Sequence, residues 1–242
     1  DRSFTRYFLK QMHGFVTMSQ SVLQDLSKFD KLKPREYCPH PLYDNFGAAL
    51  PKKKAIEALG LDQKYKYVMF FGFVRDYKGL DLLIKAFADK RLRALPLKML
   101  VAGEFYTEPK PYKDLVKRNG LEDVIIMKNE FIPNADVAKY FSACDLVVQP
   151  YKNATQSGVT QVAYHFDKPM VVTNVGALPE MVPDGKVGYV TNTNVKEISD
   201  AILDYFENNR EQEFLPKIRE EKKKYSWSNM IASIDSLLNQ LP

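Results

Sequence analysis

Gly72, Arg75 and Lys78 are the first residues along the chain whose types and spacing suit chemistry. They stand in FFGFVRDYKGLDLLIKAF, where an apolar run ends at Gly72 and a helix-patterned stretch begins near Lys78. Glycine at such a turn lets a ligand approach the backbone, and two cations beside a helix N-terminus suit a phosphate or diphosphate. In isolation Arg75 and Lys78 also read as solvated loop charges. A second candidate lies in YKNATQSGVTQVAYHFDKP, where Thr155, Gln156, Ser157 and Gly158 open a helix. The Ser157 side chain and the free N–H groups of the first turn could hold an anion there, or form a plain N-cap. A third, NVGALPEMVPDGKVGYV, brings Gly176 and Glu180 to a turn after another apolar run. A carboxylate at that place accepts hydrogen bonds from sugar or ribose hydroxyls, or is a first-turn helix charge.

These residues need elements to position them. From about residue 65, short runs rich in Val, Ile and Phe alternate with stretches of helical period, the signature of repeated βα units. The pattern predicts strands over 67–72, 98–102, 124–127, 146–149 and 170–173, with helical faces over 78–88, 112–119 and 136–143. The fold class is therefore α/β, a Rossmann-like doubly wound parallel sheet with helices on both sides. Such sheets bind ligands at the carboxyl ends of their strands, which brings the loops 72–79, 103–111, 130–134, 150–158 and 174–180 to one crevice. Before this region, 14–19 reads as a strand and 34–46, with three prolines, as an extended linker. The tail from residue 195 is expected to contain further helices, the last over 226–241.

In this order the motifs resemble the C-terminal, donor-binding domain of GT-B-fold glycosyltransferases of family 4, often called group 1. The resemblance is carried by GFVRDYKGLDLLIKAF, LVAGEFY, IPNADVAKYFSACDLVVQPY and KPMVVTNVGALPEMVPDGKVGYV, and it covers 65–206. It implies a retaining transfer of sugar from a nucleotide-diphosphate sugar to an acceptor. Arg75 and Lys78 would neutralise the donor diphosphate and stabilise it as it leaves, near the turn at Gly72. The backbone of Gln156, Ser157, Gly158 and Val159 would hold the same phosphates. Phe131 and Ile132 would meet the nucleobase with Glu104 nearby, and Glu180 would lie near the sugar or ribose. Cationic side chains together with aligned N–H groups are what a metal-free site needs for a departing diphosphate. No Asp-x-Asp motif stands at a strand end; no metal and no cofactor beyond the donor substrate are expected.

One departure from the family pattern stands out. Many relatives carry an E-x7-E pair before the KP strand, and an ungapped match places these acids at Ala154 and Val162. The ATQSG found here resembles a subgroup in which TQSG replaces the acidic loop. Gln156, Gln161 or Thr155 would then supply the missing hydrogen bonds.

The same resemblance divides the chain into 1–40, a remnant of an N-terminal domain and linker; 41–222, the nucleotide-sugar-binding domain; and 223–242, a C-terminal crossover helix. The start, DRSFTRYFLKQMHG, has no initiator Met, h-region or cleavage signature and reads as an internal cut. A glycan or lipid-linked acceptor would be held by the missing domain, so the chain alone is expected to bind nucleotide and turn over little acceptor. An exposed apolar patch, with dimerisation through it, is a further expectation. So is peripheral attachment of the full protein to a membrane.

Composition agrees with a soluble globular domain: 242 residues, 45% hydrophobic and 27% charged. The longest apolar runs fall far short of the roughly 20 residues that span a bilayer. Cys38 and Cys144 show neither metal-ligand spacing nor a disulfide framework, which points to a reducing cytoplasm. A net charge of +5 is modest and nothing suggests nucleic-acid binding. The run Lys52-Lys53-Lys54 reads as solvated helix surface or as an attraction for anions. Neighbouring alternatives are an epimerase or phosphorylase of the same architecture, or a non-catalytic binding module. An NAD-binding domain needs GxGxxG after its first strand, which GFVRDYKG does not supply.

Overall fold

A computed structural model describes residues 2–241 of the chain. They form two compact units, one from the described residues up to Leu42 and from Lys222 onward, the other from Tyr43–Glu221. By sequence the larger unit is electrically balanced, with 25 Lys and Arg against 25 Asp and Glu. The smaller holds ten against five, so the net +5 belongs to it alone.

The smaller unit opens with α1 (Arg2–Gln11), β1 (Phe15–Thr17), α2 (Gln20–Leu26) and β2 (Arg35–Tyr37). β1 and β2 pair in parallel, Phe15 opposite Arg35. The proline-rich stretch expected to be a linker thus contains a strand, which REY, with no apolar alternation, did not announce. α2 begins at Ser19, whose hydroxyl accepts the Val22 N–H at 3.2 Å and satisfies a donor the first turn leaves orphaned. α1 leaves Phe4, Tyr7 and Phe8 exposed.

The larger unit runs α3 (Lys52–Ala58), β3 (Lys66–Phe71), a 3-10 turn over Asp76–Lys78, α4 (Leu80–Phe87), α5 (Lys90–Arg93), β4 (Leu97–Ala102), α6 (Lys110–Arg118) and β5 (Ile125–Lys128). It continues through α7 (Asn134–Ala143), β6 (Leu146–Gln149), α8 (Gly158–His165), β7 (Met170–Thr173), α9 (Leu178–Met181), β8 (Gly188–Thr191), α10 (Val195–Glu207) and α11 (Glu211–Glu221). After a 3-10 turn over Lys222–Tyr225, α12 (Trp227–Leu238) returns to the smaller unit, where Leu237 packs on Gly14.

Six strands form one parallel sheet in the order β5-β4-β3-β6-β7-β8. This is the doubly wound architecture expected, with β8 an additional edge strand. Its central strands are apolar runs because helices cover both faces and no position faces water. Tyr67, Val68, Met69 and Phe70 of β3 are all buried, as are all four residues of β6 and of β7. Phe141 of α7 stacks on Phe166 at 5.4 Å and meets the edge of Phe71 at 4.9 Å.

The two ends of the sheet differ in character. At the amino end, the buried Asp145 carboxylate accepts the Tyr67 N–H at 2.8 Å and pairs with Lys52 and, at 3.4 Å, with Lys66. Lys52 of the lysine run is thereby committed to a structural ion pair. The neighbouring Cys144 thiol is pushed up by burial to about 12 and is unreactive. At the carboxyl end, the chain order reverses between β3 and β6. Loops leaving these two strands diverge to opposite faces and open a crevice between them.

Candidate functional site

The crevice is lined from four loops. Gly72 and Lys78 follow β3, Glu104 follows β4, Phe131 and Ile132 follow β5, and Gln156, Ser157, Gly158 and Val159 lead from β6 into α8; all line one cavity of about 360 Å³. Phe46, Phe73, Tyr77, Asn134 and Tyr151 also line it, none of them singled out from the sequence. Tyr77 and Tyr151 stand inside the quoted motifs, but their side-chain direction depends on how the two loops pack. Arg75 and Glu180 do not line the cavity. Glu180 is exposed on the one-turn α9, and Arg75, on the β3 loop between Gly72 and Lys78, has an exposed side chain.

Lys78 is the cation at the centre. Its ammonium lies over Gly72, 3.3 Å from where a Cβ would stand at that residue, and 5.8 Å from the centroid of the Tyr151 ring. Gly72 has φ 93, a conformation that favours glycine, and its bare Cα leaves the ammonium room. Burial, and second the charge of Arg75, push the Lys78 pKa down to about 8. Among the described residues no carboxylate pairs with Lys78. A half-buried ammonium without a counter-ion is an electrostatic deficit that an anionic ligand relieves.

The lysine is held in place by a staple between the loops after β3 and β6. Gly79 has φ 70, and a Cβ there would stand 1.9 Å from the Pro150 carbonyl oxygen, so only glycine allows this approach. Lys152 N–H donates to the Tyr77 carbonyl at 2.7 Å. Its ammonium stands 3.1 Å from Asp76 and 2.8 Å from Asp81.

The start of α8 lines the same cavity. Its N-cap, Ser157, makes no side-chain cap bond. Instead Ser157 Oγ donates to Gln149 Oε1 at 2.5 Å, Gln149 Nε2 donates to Thr160 Oγ1 at 3.1 Å, and Tyr151 OH lies 3.2 Å from Ser157 Oγ. Since the Ser157 proton goes to Gln149, the Tyr151 hydroxyl is the donor in the last pair. Ser157 is 6% exposed. Its side chain is a structural tie facing the sheet, and the anion-binding capacity of this turn lies in its backbone N–H groups. The loop after β7 supports the turn from behind, with Ala177 N–H donating to the Thr155 carbonyl at 3.1 Å. Of the three residues considered as replacements for the missing acids, Gln156 lines the cavity. Thr155 is exposed outside it, and Gln161 is fully buried with its amide unpartnered among the described residues.

Residues 51–225 match the family described as "Glycosyl transferases group 1". The chain belongs to this family. The group 1 domain is 30% identical over 158 residues to a D-inositol 3-phosphate glycosyltransferase of Corynebacterium aurimucosum, a match covering 62% of this chain and 37% of that one. It is 33% identical over 151 residues to the lipopolysaccharide core biosynthesis mannosyltransferase LpsB of Rhizobium meliloti, covering 58% and 40%. The chain thus spans less than half the length of these two relatives. In three dimensions it resembles Anabaena Alr3699/HepE in complex with UDP, with a TM-score of 0.79 at 20% identity over 93% of this chain and 63% of that one. At that identity the likeness establishes the shared fold. Among the described residues of the group 1 chain, no three His, Cys, Asp or Glu side chains are grouped to hold a metal, and no helix is long and apolar enough to cross a membrane.

Proposed function

We propose that this chain is the donor-binding part of a retaining, metal-independent glycosyltransferase that takes a nucleotide-diphosphate sugar, in the subgroup where TQSG replaces the acidic loop. The observation that carries the reading is the Lys78 ammonium, half-buried and without a carboxylate, in the same cavity as the uncapped N-terminus of α8. A diphosphate supplies the charge both lack. As the bond from sugar to diphosphate breaks, negative charge grows on the bridging oxygen, and a cation already in place with aligned N–H groups stabilises it without reorganisation. Phe131 and Ile132, on the β5 loop of the cavity, are assigned to the base. Gln156 replaces an acid as partner for donor hydroxyls. The UDP bound by the Anabaena relative is consistent with a nucleoside diphosphate here. The acceptor, a glycan or lipid-linked species, is assigned to a part of the protein outside this unit, and the chain alone is expected to turn over little of it.

Calorimetric titration with UDP, GDP and ADP tests the reading. One of the three is expected to bind, and Lys78→Ala to weaken it by about tenfold to a hundredfold, the value of a charge-assisted hydrogen bond. Folded chain that binds none of the three overturns the assignment. An epimerase of the same architecture would turn over donor without acceptor.

A further inference from the structure

Arg75 stands outside the cavity that its sequence neighbours line, and its surroundings explain how it can still serve. The loops leaving β3 and β4 run side by side past the end of the sheet. Val74 N–H donates to the Glu104 carbonyl at 2.8 Å and Tyr106 N–H to the Val74 carbonyl at 3.0 Å, a parallel bridge beyond the strands themselves. Asn129 Oδ1 accepts the Phe105 N–H at 3.0 Å and ties the same loop to the end of β5. Tyr106 is thereby fixed beside Arg75 by backbone pairing. Its ring meets Phe73 edge-on, with centroids 4.5 Å apart and planes at 69°, and the Arg75 guanidinium lies 5.0 Å from its centroid.

We propose that Tyr106 is a positioning residue for Arg75: its ring orients the guanidinium on the loop that carries Lys78 while leaving the N–H donors free for the leaving diphosphate. The inference rests on the donor-site reading above. Among the described residues Arg75 has neither a carboxylate partner nor a side-chain hydrogen bond. A carboxylate would orient the group equally well, but would occupy its donors and cancel its charge. An aromatic face orients it through the ring quadrupole and does neither. The Arg75 charge already reaches Lys78, since it contributes to lowering the ammonium's pKa. Two cations held near each other without counter-ions are arranged for a ligand that carries two negative groups.

A double-mutant cycle on the full chain tests this, using the tightest binder among UDP, GDP and ADP together with its parent nucleoside. Tyr106 is 55% exposed, so its replacement leaves the core intact. Tyr106→Ala is expected to weaken the diphosphate about three- to fivefold, the usual worth of an exposed cation–π contact, and to leave nucleoside binding unchanged. Tyr106→Phe keeps the ring and is expected to bind as the parent chain does. In an Arg75→Ala background, Tyr106→Ala should change nothing further. The positioning role is overturned if Tyr106→Ala binds diphosphate as the parent chain does, or weakens it equally with and without Arg75. Absence of binding by the parent chain would instead count against the donor site itself.

Discussion

Lys78 sets the behaviour of the site at the scale of single residues. Its pKa of about 8 in the free protein follows from burial and from Arg75, and a bound diphosphate would raise it. Binding is then linked to keeping the proton: affinity is full below pH 8 and falls as pH rises above it, by up to about tenfold per unit until the pKa of the complex is reached. The last ionisation of a phosphate, near pH 6, is complete by then and does not mask the effect. Titrations at pH 7 and pH 9.5 should show the loss in the parent chain and not in Lys78→Arg, whose guanidinium keeps its charge. For the unliganded chain the sign is opposite. The lowered lysine pKa makes stability rise between pH 8 and the ordinary lysine value, as the uncompensated charge is lost. The composition of the loop was visible in the sequence, but the burial that moves this pKa was not. The Tyr151 ring near the ammonium, for one, comes from the loop after β6.

At the scale of elements, the N-terminus of α8 separates what a side chain does from what a backbone does. Ser157 in TQSG reads from sequence either as a cap or as an anion ligand, and the structure gives its hydroxyl to Gln149 instead. Ser157→Ala is therefore expected to lower stability by about 1–2 kcal/mol, through the lost hydrogen bonds to Gln149 and Tyr151. Diphosphate affinity should stay within about threefold of the parent chain, well short of a lost charge-assisted bond. Denaturant unfolding and calorimetry on one preparation check both; a tenfold loss of affinity would mean that the hydroxyl grips the ligand. The buried strands were legible because a strand covered on both faces must be a continuous apolar run. β8, with Gly188 and two half-buried positions, has no such run. α3 was legible only as solvated helix surface around its lysine run, because its apolar Ala55 and Ile56 are too few to mark a buried helical face. α11 contains Pro216, an ordinary sign against a helix interior.

For the larger unit as a whole, the buried Asp145 ion pairs and the candidate cavity lie at opposite ends of one sheet. Asp145, 4% exposed, joins α3, β3 and β6 at the amino end, and the Tyr205 hydroxyl of α10 donates to its carbonyl at 3.0 Å. Asp145→Ala leaves the Tyr67 N–H unpaired, and is expected to cost about 2–4 kcal/mol in denaturant unfolding. Its nucleotide affinity should match the parent chain wherever both are folded, because the cavity lies beyond the other end of the strands. A joint loss of stability and affinity would show that the two ends are coupled. The charge distribution belongs to this scale too: lysines that look scattered along the sequence leave the larger unit neutral.

Local chemistry is what the sequence by itself determined. Apolar runs of strand length, glycines at their ends, cations beside a helix start and a TQSG turn are short-range features, and their order was enough to indicate the family and the crevice at the carboxyl ends of the strands. Tertiary structure decided which of those groups line the cavity. Strand order places β3 beside β6, and with them Lys78 beside α8. The approach of Gly79 to Pro150 fixes that distance, Gln149 draws the Ser157 hydroxyl inward, and Tyr106 on the β4 loop lies against Arg75. Apart from the Gln149 tie, these depend on contacts between segments far apart in the chain, and no periodicity or motif spacing records any of them.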